Sequence, residues 1–160
     1  MEPAHCRESL EQLLTDEIRS LGQLQTLLAQ EHDLLVSNDI EGLEQAGAAR
    51  QRCVASLVQI EMERRSLCRA LGRPEDPQGI ESLLAWCDAG GTMKNRWNEC
   101  AQLAAVCREQ NDRNGMLVNA RLKRIETMLR SFGGSHEPRL YSSHGATPLR
   151  RSGGTLATHA

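Results

Sequence analysis

The chain has 160 residues, enough for one domain with a sizeable core. A formal charge of -2, a pI near 6.2 and 2% aromatic residues supply neither the basic patch nor the stacking rings on which nucleic-acid binding depends. No apolar run approaches ~20 residues, and Glu2, His5, Arg7 and Glu8 stand where a leader would have its apolar stretch, so the chain is expected in the cytoplasm and not inserted in a membrane.

Heptad spacing dominates the sequence. In a first helix from Pro3 to about Val36, Leu14, Leu21, Leu28 and Leu35 recur every seven residues. Leu10, Glu17, Leu24 and Glu31 form the companion row, a coiled-coil seam with a glutamate at every other place. Leu13, Ile18, Leu27 and Leu34 widen the apolar face beyond what one neighbour covers, which predicts a third helix against it. Ser37-Asn38-Asp39 breaks the helix, and Asp39 is suited to cap the next one.

The second helix runs from Ile40 to about Leu71, with Leu43, Arg50, Leu57, Arg64 and Leu71 in one row and Ala46, Cys53, Ile60 and Leu67 in the other. Arginines here occupy the alternate places that glutamates held before. In an antiparallel pair, facing residues have numbers of constant sum. A sum of 81 sets Glu31 against Arg50 and Glu17 against Arg64, whereas a tight turn near Asn38 favours the neighbouring sum of 74. The sequence is compatible with both registers. Gly72 to Pro77 ends the second helix, Asp76-Pro77 starts a short one marked by Ile80, Leu83, Leu84 and Cys87, and Ala89-Gly90-Gly91 closes it before Thr92, the expected cap of the last helix.

That last helix, Thr92 to Phe132, would be roughly 60 Å long at ~1.5 Å per residue. Trp97, Ala104, Asn111, Val118, Ile125 and Phe132 form one heptad row, and Cys100, Cys107, Asn114, Arg121 and Met128 a second. Asn111-Asp112-Arg113-Asn114-Gly115 interrupts the apolar pattern at its waist. Either the amides fix register as a buried asparagine does in coiled coils, or they bind a guest backbone while Gly115 allows close approach. Beyond the waist, Met116, Leu117, Val118, Leu122, Ile125, Met128 and Leu129 offer a methionine-containing apolar surface suited to a helical partner.

The pattern therefore predicts an all-α protein: an antiparallel hairpin of long helices, a short helix and a long C-terminal helix in an elongated three-to-four-helix bundle over residues 1–132. Residues 133–160 are rich in Ser, Gly, Thr and His with a charge of +2, and are expected to form a disordered tail. Catalytic chemistry is not expected. The six cysteines form no C-x-x-C pair and read as reduced thiols in the core. His5, His32, His136, His144 and His159 are scattered, and there is no P-loop or Glu-x-x-His pairing, so neither cofactor nor metal is expected.

The leucine-rich first helix, the Asn-Asp turn, the second long helix and a final helix bearing Asn111-x-x-Asn114-Gly115 together resemble the FlgN-type flagellar export chaperones. So does Tyr141-Ser-Ser-His-Gly145, similar to a Tyr-x-x-x-Gly segment of that family. The resemblance implies a cytoplasmic, non-enzymatic chaperone of flagellar type III export. Its clients would be hook-filament junction proteins, bound through their C-terminal helices, kept from premature assembly and passed to the cytoplasmic domain of the export gate. Asn111, Asn114, Gly115, Leu117, Val118, Leu122, Ile125 and Leu129 would contact the client, and Leu140, Tyr141 and Gly145 would dock at the gate. A homodimer in the client-free state is a further expectation. The rival reading is a structural or scaffolding bundle that self-associates through its seam.

Overall fold

The computed structural model describes residues 1–133. Within them the protein is all-α: α1 Pro3–Ser37, α2 Ile40–Ala70, α3 Pro77–Cys87 and α4 Thr92–Gly133, with no strand among the described residues. The long helices end within one residue of the ranges that heptad spacing predicts. The chain divides into one unit over Met1–Leu122, which holds the bundle, and a second beginning at Lys123. The expected tail, from residue 134 onward, lies outside the described residues.

Local chemistry sets the helix ends. Asn38 adopts the left-handed conformation, φ 62°, which asparagine tolerates better than most residues. The Asp39 N–H turns back to the Leu34 carbonyl at 3.1 Å, and the Asp39 carboxylate accepts the Gly42 N–H at 2.9 Å. At the end of α2, Gly72 takes φ 64° while the Arg73 N–H reaches the Cys68 carbonyl at 2.9 Å, a left-handed helix stop. Asp76 caps α3 through the Gly79 N–H at 3.0 Å. Only glycine fits at position 79, because a Cβ there would come within 1.7 Å of the Pro74 carbonyl oxygen. One expected cap is displaced. Thr92 is already helical, and it is the buried Asp88 carboxylate that accepts the Met93 N–H, at 2.8 Å.

Two registers hold the bundle together. Arg64 meets Glu17 at 2.6 Å and Arg50 meets Glu31 at 3.4 Å, so α1 and α2 pair antiparallel with the sum of 81. The charge pattern decides between the two registers, and the turn accommodates it. The first residue of α2, Ile40, is 70% exposed, which puts the start of that helix at the corner and outside the seam. Between α1 and α4 the difference is constant instead of the sum. Cys100, Cys107, Asn114 and Arg121 each direct a side-chain donor at the backbone carbonyl of the residue 86 positions earlier, namely Leu14, Leu21, Leu28 and Leu35. The two helices therefore run parallel, and the third helix that the wide apolar face of α1 calls for is α4. The short α3 joins the end of α2 to the start of α4, so that α4 begins beside the N-terminal part of α1.

The core lies where these seams meet. Leu10, Leu14, Leu21 and Leu28 of α1 share one cluster with Leu67 and Cys68 of α2, Ile80, Leu83 and Leu84 of α3, and Met93, Cys100 and Cys107 of α4. Arg64 stands at its edge. It bonds Glu17 of α1 and Glu61 of its own helix, and its guanidinium lies 4.9 Å above the Trp97 ring of α4.

All six thiols are free; five are buried and Cys87 is half-buried. Burial, reinforced by the Cys87 and Cys68 thiols, pushes Cys6 up to about 12; burial and then the Glu17 carboxylate do the same for Cys100. A thiol whose folded pKa exceeds its unfolded value stabilises fully below the unfolded value, 9.0, and less as pH rises toward 12, because the unfolded chain ionises first. Urea melts across pH should therefore show stability falling between pH 9 and 12, and Cys6→Ala with Cys100→Ala should flatten that fall. An unchanged slope in the double variant would contradict the assignment.

Candidate partner-binding surface

The polar waist does not break α4, which runs through Asn111–Gly115 as continuous helix. Its two amides have different surroundings. Asn114 is 3% exposed and fully engaged: its Nδ2 donates to the Leu28 carbonyl at 2.9 Å, and its Oδ1 lies 3.2 Å from His32 Nδ1. An amide oxygen only accepts, so in this contact His32 carries its proton on Nδ1. Asn111 is exposed, and its Oδ1 accepts from Arg50 Nη1 at 3.2 Å. Arg50 also faces Glu31, so Glu31, Arg50 and Asn111 tie α1, α2 and α4 together at one level. Both amides are therefore engaged within the bundle, Asn114 at a buried level and Asn111 at the surface.

Gly115 is different. A Cβ built there meets nothing within 4 Å, so no packing among the described residues requires glycine. Past it the apolar residues face outward. In the first unit Met116 is 71% exposed and Val118 and Leu122 are exposed, while Leu117 is half-buried. In the second unit Ile125, Met128, Leu129 and Phe132 are exposed, Leu129 at 65%. Val118 and Leu122 in the first unit are four residues apart, as are Ile125 and Leu129 in the second, so within each unit the pair shares one face of its helix. Burying such a side chain is worth about 1.5–3 kcal/mol, and a row left in water is the usual mark of an interaction site. Of the residues expected to contact a partner, Asn114 faces inward and Asn111 is braced by Arg50; Gly115, Val118, Leu122, Ile125 and Leu129 are exposed and Leu117 partly so. Leu140, Tyr141 and Gly145 lie outside the described residues.

A second apolar surface escapes the heptad reading. Val54, Val58 and Met62 are exposed on α2. Beside Val54 a groove of about 490 Å³ opens between α2 and α4, floored by Leu21, Leu24 and Leu28 of α1. Its signal in the sequence is a set of four-residue steps outside both seam rows. The arginines alternating in one of those rows draw attention to the charges instead.

The buried thiols are held protonated by burial, so they are poor nucleophiles. No group of three or more His, Cys, Asp or Glu among the described residues could hold a metal ion. None of the described helices is long and apolar enough to cross a membrane.

Two substitutions separate the roles of the waist. Asn114→Asp would bury a carboxylate against the Leu28 carbonyl and should lower the urea-unfolding free energy by about 3 kcal/mol at neutral pH. Gly115→Ala should raise it by about 0.5–1 kcal/mol, since the site is helical and open. An Asn114→Asp protein as stable as wild type would remove Asn114 from the bundle's seam, and a destabilised Gly115→Ala protein would show that the glycine is needed by the fold.

No curated protein and no solved structure matches this chain. Residues 1–148 match the family model described as FlgN protein. That match spans nearly the whole sequence and agrees with a helical bundle whose last helix leaves apolar residues exposed. The chain belongs to the FlgN family, the flagellar export chaperones.

Proposed function

We propose that this chain binds the C-terminal helical segments of hook-filament junction proteins in the cytoplasm, prevents their premature assembly and delivers them to the export gate. The observation that carries this reading is the exposure of apolar side chains late in α4: Val118 and Leu122 in the first unit, Ile125 and Leu129 in the second. Each pair has the spacing at which an amphipathic helix presents its apolar face to another. In the first unit the seam is filled by Cys100, Cys107 and Asn114, which leaves Val118 and Leu122 uncovered. A client helix laid on such residues gains apolar contact without disturbing the bundle.

Holding of this kind has to be reversible. A micromolar complex corresponds to about 8 kcal/mol, which a few buried apolar anchors can supply after the cost of association. Assignment of client holding to residues 1–132 and gate docking to Leu140, Tyr141 and Gly145 of residues 133–160 separates the two tasks along the chain. Gly115 fits the same scheme, because a client backbone could approach there without meeting a side chain.

Co-expression with a hook-filament junction protein tests the reading. The wild-type chain should co-purify with it, and Leu122→Asp with Ile125→Asp should abolish this while the melting of the bundle stays within about 1 kcal/mol of wild type, as for exposed positions. Failure of the wild-type chain to solubilise or retain the junction protein would overturn the chaperone assignment. Tyr141→Ala should leave the junction-protein complex intact and weaken capture by the gate's cytoplasmic domain. Loss of both together would contradict the division between helix and tail.

A further inference from the structure

The charge of this chain is unevenly placed. Residues 1–115 hold twelve basic and nineteen acidic residues, a net of -7, whereas residues 116–133 hold four basic and one acidic, a net of +3. Pairing differs as well. Arg19, Arg50, Arg64, Arg65, Arg69 and Arg113 each have a carboxylate partner. Lys123, Arg124 and Arg130, all in the second unit, take part in none of the ion pairs among the described residues. At the helical period Arg124 falls to one side of Ile125 and Leu129; on the other side Glu126, the single acid, lies nearer the stripe, with Arg130 and Lys123 beyond it. The helix dipole accounts for a cation in the last turn, where Arg130 sits, but its effect fades within that turn and does not reach Lys123 or Arg124.

We propose that the end of α4 selects a partner helix whose apolar stripe is bordered by aspartates and glutamates. This rests on the chaperone reading and adds the chemistry of the client. Carboxylates on either side of the client's stripe would meet Arg124 on one flank and, past Glu126, Lys123 with Arg130 on the other, cations that no ion pair among the described residues neutralises. Such pairs act mainly on encounter rate and choice of partner. A second copy fits less well. Two copies packed stripe on stripe would bring like charges together, which disfavours a client-free homodimer of that kind. An anionic membrane would attract the same cations, and capture by anionic vesicles is therefore one arm of the test below.

The test uses the full chain and synthetic amphipathic helices of about 18 residues sharing one Leu/Ile stripe, with Glu, Gln or Lys at the flanking positions. The Glu peptide should bind about tenfold tighter than the Gln peptide at low salt, near 50 mM, and the gap should close at about 300 mM. Lys123→Gln, Arg124→Gln and Arg130→Gln together should erase the preference while circular dichroism shows unchanged helix. Equal affinities for the three peptides, or a triple variant that keeps the preference, would overturn the proposal. So would tighter capture by vesicles rich in phosphatidylserine than by the Glu peptide. A hook-filament junction protein run alongside separates the two readings. If the wild-type chain ignores it but still prefers the Glu peptide, the chaperone reading fails and the charge selectivity stands. If it binds equally well to wild type and triple variant at every salt concentration, the selectivity fails and the chaperone reading stands.

Discussion

Four side chains of α4 directed at four leucine carbonyls of α1, always 86 residues earlier, are the constraint on which the rest of the bundle depends. The repeat of seven on both helices keeps the offset constant, and the contacts make the pairing parallel and set its register. The leucines that supply the carbonyls are also the most heavily buried row of α1, each 5% exposed or less. Each level therefore joins a polar contact to an apolar one. The donors change along the seam from thiol to amide to guanidinium, and a thiol suits the innermost levels because it packs as a small hydrophobe while still offering a weak donor. α1 ends at Ser37, two residues past Leu35, so the series stops with Arg121.

The ion pairs on the other side of α1 work differently. Glu17 and Arg64 are both largely buried, and a buried pair of this kind adds little net stability while its disruption costs about 3–5 kcal/mol. Their effect is to penalise the alternative register. A seven-residue slip would leave Glu17 and Arg64 facing apolar partners, and the Trp97 ring above Arg64 extends that penalty to α4. Charge thus selects the antiparallel register, polar donors select the parallel one, and the apolar rows, which would tolerate a slip, provide the bulk of the burial.

Much of this was legible in the sequence because helix periodicity is a strong signal over thirty or more residues. The helix ends, the Asp39 and Asp76 caps and the left-handed Gly72 derive from spacing and local chemistry, whereas the Glu31–Arg50 and Glu17–Arg64 pairs belonged to one of two registers the sequence allowed. The α1–α4 contacts were half visible. Both heptad rows could be written down, but nothing in one chain states which row of α4 meets which row of α1, and the two carry different chemistry. The role of Asn114 turned on that choice. The row Cys100, Cys107, Asn114, Arg121 faces α1, so the amide is buried and engaged, whereas Asn111, in the other row, stands at the surface against Arg50. The Asp88 cap was hidden because a carboxylate four residues before Thr92 reaches the helix only through the particular bend at Gly90-Gly91.

On the proposed reading, α4 completes the bundle with its first part and offers the exposed apolar residues of its last part to a client. Asn114 is the last buried residue of α4 and Arg121 the last to contact an α1 carbonyl, while exposed apolar residues begin at Met116. Hydrogen exchange on the client-free chain and on its complex with a hook-filament junction protein tests this most directly. Amides of residues 93–114 should be strongly protected in both states, and those of residues 116–132 should exchange quickly in the free chain and slowly in the complex. Equal protection of both stretches in the free chain, or slowing confined to residues 93–114 on binding, would contradict it.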